Sequence, residues 1–248
     1  MRSVERIYLF DVDGTLTPPL EEIDEEFADV FLTWAKDPHK KIYLVTGSDV
    51  NKIKRQLFPS FIDQCDGIFT CSGNVFYSKR KLIYKHKLEL PPTFIEDLEL
   101  YLEQGSDWRT KTGNHIEVRS GMVNFTTLGR NASPKLREAY QEWDSYRHER
   151  LDIIDYITKL YPQFEASIGG TISVDIYPRG QNKSQVVNTL HGLHGTAIPM
   201  VFVGDRNVPG GNDWPLAQRL ESLEGCRWLQ VNSYKETWTL IEFSELFI

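Results

Sequence analysis

The sequence predicts an α/β protein in which a Rossmann-like, mostly parallel sheet is interrupted by a second, α+β domain. Short apolar runs alternate with helical patterns at the start of the chain and again towards its end. Such alternation is typical of parallel strands joined by right-handed helical crossovers. The pattern changes near Pro91 and Pro92, beyond which paired strand patterns appear. We therefore expect a core domain of residues 1–83 and 182–248 and an inserted domain of residues 84–181.

The first half of the core domain alternates strands with helices. Residues 7–10 are apolar and predict a buried strand, and a helix begins near Asp24, with Phe27, Val30, Phe31 and Trp34 at helical spacing. The patterns that follow predict strands at residues 41–46 and 67–70, a helix at about 50–57 and a hairpin across 77–84.

The inserted domain combines hairpins with helices. A helix is expected at about 93–102, and alternating runs at 114–119 and 122–126 flank a Ser-Gly turn. One long helical stretch is expected at about 134–160, followed by a strand pair, 164–168 and 171–177, around Gly169 and Gly170. The core then resumes with a helix that opens at Lys183, strands at 199–204 and 227–231, and a C-terminal helix.

Composition narrows the class of protein. The chain has 248 residues and a net charge of −7, which disfavours a broad nucleic-acid surface. Its three cysteines, Cys65, Cys71 and Cys226, are too few and too widely spaced for a disulfide framework or a zinc site. The sequence shows no basic and apolar leader and no apolar run near the ~20 residues of a membrane span, so we expect a cytoplasmic protein.

Two carboxylates follow the first predicted strand. Asp11 and Asp13 belong to an Asp-x-Asp-Gly-Thr motif at the point where the chain leaves the sheet. In open α/β sheets, ligands bind in the crevice outside the carboxyl ends of the strands. Gly14 permits a tight turn there, and the hydroxyl of Thr15 can help to fix an oxyanion. The motif therefore indicates a site for a divalent cation and a phosphate.

Three further segments supply matching chemistry. Thr46, Gly47 and Ser48 follow the second strand, where hydroxyls and backbone N–H groups can bind a phosphate oxygen, although Ser48 is equally suited to cap the next helix. Lys183 offers a positive charge beside a transferring phosphoryl group. The oxygen ligands expected for Mg²⁺ come from Asp11, the backbone carbonyl of Asp13, and the segment containing Asp205, Asn212 and Asp213.

These motifs, in this order, resemble those of the haloacid dehalogenase-like phosphotransferases. The resemblance implies that Asp11 is the nucleophile that takes up a phosphoryl group and that Asp13 is the general acid/base. It also implies that the insert is a cap domain that selects the substrate and excludes water.

Three blocks of the sequence are similar to the eukaryotic-type phosphomannomutases. They are the segment from His115 to Ser133, the segment from Ser167 to Asp175, and the Pro-Gly-Gly-Asn-Asp run ending at Asp213. Arginine forks suit a phosphate held away from the metal, and alternating polar residues on a strand suit sugar hydroxyls. The expected substrate-binding residues of the insert are Arg119, Arg130, Arg137, Ser173 and Asp175.

The resemblance implies a phosphohexose mutase that interconverts mannose 6-phosphate and mannose 1-phosphate through an aspartyl phosphate and a sugar bisphosphate. It further implies a sugar bisphosphate activator, a role in GDP-mannose biosynthesis and a homodimer formed through the cap. An alternative is an Mg²⁺-dependent phosphatase of sugar or nucleoside monophosphates, favoured by Leu20, which stands where the mutases carry an arginine. A silent binding domain is a third reading, which the presence of Asp11, Asp13, Lys183 and Asp205 disfavours.

Overall fold

The computed structural model describes residues 6–243, which divide into two compact units. The first unit runs up to Lys85 and resumes at Gln181, and the second is His86–Gly180. The insert expected at residues 84–181 thus corresponds to the second unit within two residues at each end. None of the helices in residues 6–243 is long and apolar enough to cross a membrane.

A seven-stranded sheet forms the centre of the first unit, in the order β11-β10-β1-β2-β3-β4-β5. The five strands from β11 to β3 are parallel, and β4 and β5 add to the β3 edge in antiparallel fashion. The strands are β1 (Arg6–Phe10), β2 (Lys40–Val45), β3 (Gly67–Thr70), β4 (Val75–Ser78), β5 (Lys81–Lys85), β10 (Met200–Gly204) and β11 (Arg227–Gln230).

Helices cover both faces of this sheet, as an apolar parallel strand requires. In β1, Tyr8 and Phe10 pack into one core cluster and Ile7 and Leu9 into another. The helices are α1 (Glu25–Trp34), α2 (Val50–Gln56), α3 (Pro59–Gln64), α7 (Val186–His194), α8 (Trp214–Glu221) and α9 (Tyr234–Glu242), with 3₁₀ turns at Cys71–Gly73 and Lys183–Gln185. The carboxyl ends of β1, β2 and β10 therefore meet at one edge.

The second unit has its own four-stranded antiparallel sheet, in the order β6-β7-β9-β8. Side chains alternate across it: Val123 and Phe125 of β7 enter the core, which places Asn124 on the opposite face. The elements are β6 (Ile116–Arg119), β7 (Met122–Phe125), β8 (Phe164–Gly169), β9 (Ser173–Pro178), α4 (Phe94–Leu100) with a π-helical turn Tyr101–Gly105, α5 (Pro134–Arg147) and α6 (Glu149–Leu160).

The helical stretch expected at about 134–160 is present but divided, because the chain forms α5 and α6 with a break at His148. His148 adopts a left-handed conformation with φ of 57°. Glu149 is buried there and accepts hydrogen bonds from Ser106 Oγ at 2.5 Å and Tyr140 Oη at 2.8 Å. The break thus directs a charged side chain into a buried set of hydroxyl groups, which helical periodicity does not reveal.

Candidate active site

Asp11 lies at the end of β1, between the ends of β10 and β2. Its N–H donates to the carbonyl of Val203 at 3.0 Å, and the residue is 5% exposed. The turn that follows closes with a hydrogen bond from Gly14 N to Thr17 O of 2.8 Å, and Gly14 has a φ of 85°. A Cβ at Gly14 would lie 2.7 Å from Asp205 Oδ2. Only glycine therefore allows this loop to approach Asp205.

Three carboxylates and one lysine form the centre of the site. Lys183 is fully buried, with Nζ 2.7 Å from Asp11 Oδ1 and 2.6 Å from Asp213 Oδ1. Oxygen atoms of Asp11, Asp205 and Asp213 all lie within 4.8 Å of one another. Three segments that are distant in sequence thus converge at the strand ends, and they bring together Asp11, Lys183, Asp205 and Asp213.

The charges of this cluster are unbalanced. Burial raises the pKa of Asp11 well above its usual value, and burial followed by the charge of Asp213 raises the pKa of Asp205 to about 7. Burial alone would lower the pKa of Lys183, but Asp11 and Asp213 raise it above its usual value. When all three carboxylates are ionised, Lys183 and Arg206, whose Nε lies 3.4 Å from Asp205 Oδ2, leave one negative charge unbalanced (−3 + 2 = −1). An all-oxygen donor set with this excess charge fits a hard divalent cation such as Mg²⁺.

The side chain of Asp13 turns to a different set of partners. Its Oδ2 lies 2.6 Å from Lys52 Nζ and accepts from Ser48 Oγ at 3.1 Å, and its Oδ1 accepts from Gln56 Nε2 at 3.0 Å and from Leu20 N at 3.1 Å. Burial opposes ionisation, but Lys52 and these hydrogen bonds lower the pKa of Asp13 below its usual value. Its carboxylate is therefore held ionised and outside the three-carboxylate cluster, and the expected metal contact of its backbone carbonyl stays a prediction.

Sequence reasoning did not identify Lys52 and Gln56. Both lie on α2, four residues apart, and therefore on one face of that helix. Their four-residue spacing, directly after the Gly47-Ser48-Asp49 turn, predicts that both side chains lie near the end of the second strand. It does not indicate that this face of the helix contacts Asp13.

The segment after β2 contributes hydroxyl groups to the site. Thr46 and Ser48 are buried, Gly47 lies between them, and Ser48 N donates to Thr46 Oγ1 at 3.1 Å. The N-cap of α2 is Asp49, which accepts from Lys52 N at 2.8 Å. The alternative in which Ser48 caps the helix is therefore wrong, and its hydroxyl instead contacts Asp13.

Asn212 precedes Asp213 in the loop that leads to α8, and it is 8% exposed. Asp213 Oδ2 accepts from the backbone N of Arg206 at 3.0 Å, so the loop is tied to the segment that follows β10. Asp213 therefore holds the loop beside Asp205, and the expected metal ligation by Asn212 and Asp213 stays a prediction.

The second unit contains a polar cluster on the face of its sheet opposite Val123 and Phe125. Glu117 Oε2 lies 2.8 Å from Arg119 Nη2 and 2.9 Å from Arg130 Nε. Asn124 Nδ2 donates to Ser173 Oγ at 3.0 Å and to Asp175 Oδ1 at 2.7 Å, and Arg130 donates to Asn124 Oδ1. Four expected residues of the insert, Arg119, Arg130, Ser173 and Asp175, are therefore brought together.

Arg137 is oriented differently from the other two arginines. Its Nε donates to the carbonyl of Ala132 at 3.0 Å and its Nη2 to the carbonyl of Arg130 at 2.5 Å. Arg137 thus supports the loop that carries Arg130. Sequence reasoning missed Glu117 and Asn124, although each alternates with the apolar residues of its strand.

The model of the eukaryotic phosphomannomutase family matches residues 27–223. The chain belongs to this family. A phosphomannomutase of Galdieria sulphuraria is 32% identical over 235 residues, covering 88% of this chain and 87% of that protein. A phosphomannomutase of Spinacia oleracea is 33% identical over 223 residues, covering 85% of each chain. The predicted resemblance is therefore confirmed.

Solved structures share the fold at low sequence identity. The C-terminal domain of C. albicans trehalose-6-phosphate phosphatase aligns with a TM-score of 0.65 and 16% identity, over 97% of this chain and 92% of that chain. An IMP-bound, N-terminally truncated IMP-nucleotidase of Plasmodium falciparum aligns with a TM-score of 0.61 and 16% identity, over 95% of this chain and 67% of that chain. These likenesses confirm the predicted fold class and carry no conclusion about the substrate.

Proposed function

We propose that the protein is a phosphohexose mutase that interconverts mannose 6-phosphate and mannose 1-phosphate. The sequence predicts this activity, and membership of the phosphomannomutase family confirms the prediction. The observation that carries the chemistry is the buried contact of Lys183 with Asp11 at 2.7 Å, within a cluster of three carboxylates. Such a cluster places a nucleophile beside the charges that phosphoryl transfer requires.

In the proposed reaction, Asp11 carries a phosphoryl group at the start. Asp13 removes the proton from the free hydroxyl of the sugar monophosphate, that oxygen bonds to the phosphorus, and the bond from phosphorus to the Asp11 oxygen breaks, which gives a sugar bisphosphate and leaves Asp13 protonated. After the bisphosphate turns round, the Asp11 oxygen attacks its other phosphorus, the bond from that phosphorus to the sugar oxygen breaks, and that oxygen takes the proton from Asp13. The hydroxyls of Thr46 and Ser48 and the N–H groups around Gly47 would orient the phosphate oxygens, and Lys183 would hold the Asp11 carboxylate in place.

We propose Mg²⁺ as the cofactor, held by Asp11, Asp205 and Asp213 with the Asp13 carbonyl and Asn212. The convergence of three carboxylates within 4.8 Å supports this choice. When bound, the cation would offset the repulsion between the Asp11 carboxylate and a phosphate dianion.

In the second unit we propose that Arg119 and Arg130 bind the substrate phosphate that is not being transferred. Glu117 holds both guanidinium groups, so the two arginines are oriented before a ligand arrives. Ser173 and Asp175, which share the Asn124 amide, are suited to sugar hydroxyls. Arg137 would act by supporting the loop of Arg130.

Several properties of the working protein are also proposed. A sugar bisphosphate would prime Asp11 as a phosphoryl donor, and the setting would be the reducing cytoplasm, which the three free cysteines support. The protein would act in GDP-mannose biosynthesis. A homodimer through the second unit is supported by exposed apolar side chains there, among them Val118, Tyr146 and Leu151.

The phosphatase alternative is favoured by one residue. Leu20 has a half-exposed side chain and reaches Asp13 only through its backbone N–H, so it adds no positive charge to a phosphate site. The two activities differ in their product, because a phosphatase passes the phosphoryl group of Asp11 to water.

Phosphorus NMR distinguishes the two activities. Purified protein would be supplied with Mg²⁺, mannose 1-phosphate and a trace of glucose 1,6-bisphosphate, with the Asp11→Asn variant as control. Mannose 6-phosphate with little inorganic phosphate is the expected result. Inorganic phosphate as the main product would establish the phosphatase instead, and no turnover of this or other phosphosugars would overturn both.

A further inference from the structure

A cavity of about 280 Å³ lies in the first unit, among α2, α3, β3 and β4. Its wall is mainly apolar and includes Ile53, Leu57, Ile62, Ile68 and Tyr77. Small-molecule pockets are typically concave and apolar, with volumes of about 300–1,000 Å³ and a few polar groups that fix the ligand's orientation. The cavity thus has the lining, and nearly the volume, of a site for a small molecule with an apolar body.

The charged side chains that line the cavity are all basic. They are Lys54, Lys79 and Arg80, and no carboxylate within residues 6–243 lines it. Arg80 is already paired, because its Nε lies 2.5 Å and its Nη2 2.7 Å from the carboxylate oxygens of Asp63. Lys54 and Lys79 are exposed and make no hydrogen bond or ion pair with any described residue. Two uncompensated ammonium groups therefore border an apolar cavity in a chain whose net charge is −7.

Both lysines are held by ordered backbone. Lys54 lies on α2, and Lys79 lies in the turn between β4 and β5, where it and Arg80 adopt left-handed conformations with φ of 47° and 63°. The hydroxyl of Tyr77, on the neighbouring strand, makes no hydrogen bond to any described residue and is available as a further donor. The polar groups of the cavity are thus all able to donate to an anion.

We propose that this cavity binds a small amphiphilic organic anion. Its apolar or aromatic body would lie against Ile62 and Ile68, and its acidic head group, a carboxylate, sulfonate or phosphate, would bind Lys54 and Lys79. The complementarity between the two free ammonium groups and an anionic head selects this class over a neutral apolar ligand.

The cavity is separate from the catalytic cluster. On α2, Lys52 and Gln56 bind Asp13, whereas Ile53 and Lys54 line the cavity. Neither Asp11 nor Lys183 is among the lining residues. A phosphosugar at the catalytic site and an anion in the cavity would therefore not compete for the same side chains.

The probe for this site is 1-anilinonaphthalene-8-sulfonate, which joins an aromatic body to one sulfonate. Its fluorescence would be titrated against the full-length protein with Mg²⁺, in the presence and absence of saturating mannose 1-phosphate. N-phenyl-1-naphthylamine, which has the same body without the sulfonate, tests the contribution of the head group. The expected result is saturable binding at one site per chain, about tenfold weaker for the neutral probe, and unchanged by the phosphosugar.

Two sets of variants locate the binding. The double variant Lys54→Glu/Lys79→Glu should weaken the sulfonate probe at least tenfold and leave the neutral probe unchanged, whereas Lys235→Glu, an exposed change outside the cavity, should have no effect. If that double variant fails to fold, Lys54→Gln/Lys79→Gln makes the same comparison with a smaller change of charge. Ile62→Phe, which fills the cavity, should weaken both probes.

Four results would overturn the proposal. They are equal affinity for the charged and neutral probes, unchanged binding in the lysine variants, displacement of the probe by mannose 1-phosphate, and the absence of saturable binding.

Discussion

Replacing Lys183 by Met removes the buried ammonium group that contacts Asp11 and Asp213 while keeping a long side chain. Lys183 is fully buried and lies 2.7 Å from Asp11 and 2.6 Å from Asp213. The variant therefore leaves two buried carboxylates without their partner. We expect a large loss of stability as well as a loss of activity.

The size of the loss follows from this geometry. At an effective dielectric constant of about 20, two opposite charges about 3 Å apart attract by roughly 5 kcal/mol, and burial of the ammonium offsets much of this. Removal of one partner of a buried ion pair typically costs about 3–5 kcal/mol. Asp11 limits the loss by taking up a proton, since burial already raises its pKa. We therefore expect the free energy of unfolding to fall by about 3–5 kcal/mol, and the melting temperature by roughly 6–20 °C for a chain of this size.

Urea unfolding of metal-free protein near neutral pH measures this loss. The matched control is Lys235→Met, an exposed lysine on α9, which should change the free energy of unfolding by less than about 0.5 kcal/mol. Adding Asp213→Asn to Lys183→Met should restore about 1–3 kcal/mol, because it removes one of the stranded charges. A Lys183→Met variant as stable as the parent protein would contradict this stabilising role of Lys183. So would a double variant whose loss of stability equals the sum of the two single effects.

Three other predictions concern the acid/base, the second unit and alkaline stability. Lys52→Met should lower kcat about tenfold in steady-state assays, because Asp13 loses the partner that orients it. Arg55→Met, an exposed change on the same helix, should leave kcat unchanged, and equal rates for the two variants would exclude this role of Lys52. Arg130→Lys should raise the KM for mannose 1-phosphate about tenfold with little change in kcat, since a lysine cannot present two donors in one plane. Arg109→Lys, an exposed change in the same unit, is the control and should leave the KM unchanged. Burial raises the pKa of several tyrosines above the usual 10.0, so the folded state favours their neutral form. These tyrosines therefore contribute to the free energy of unfolding below about pH 10, and that contribution is lost as the pH rises further. In a pH titration, the phenolate absorbance of the folded protein should therefore rise at higher pH than that of the urea-unfolded chain, until circular dichroism shows that the protein has unfolded. Identical titration curves for the folded and unfolded chains would contradict this prediction.

Several of the catalytic and metal-binding residues predicted from the sequence either follow a strand or open a helix. Asp11, Thr46 and Asp205 come directly after apolar strands, and Lys183 begins the segment that packs beside them. Because the carboxyl ends of parallel strands meet at one edge, strand periodicity is sufficient to bring these residues together.

The residues that were missed act through side chains that reach across elements. Lys52 and Gln56 lie on α2 but bind Asp13, which is 39 and 43 positions away in the chain. Glu117 likewise holds Arg130 from a neighbouring strand. Local spacing places such residues on a face, but only the packed structure determines which partner that face meets.

The broken helix has a similar cause. Local pattern favours continuous helix through His148, and the burial of Glu149 by Ser106, Thr127 and Tyr140 overrides it. Buried polar groups must find hydrogen-bonding partners, and the tertiary structure supplies them at the expense of helical continuity.

The central claim is that Asp11 carries the phosphoryl group between substrates. The most direct test is to incubate the protein and Mg²⁺ with glucose 1,6-bisphosphate radiolabelled in phosphorus, quench in acid and map the labelled peptide. We expect label on the peptide that contains Asp11, released by hydroxylamine as expected of an acyl phosphate, and no label in the Asp11→Asn variant. An active protein that acquires no label, or an Asp11→Asn variant that is labelled as well as the parent, would contradict it.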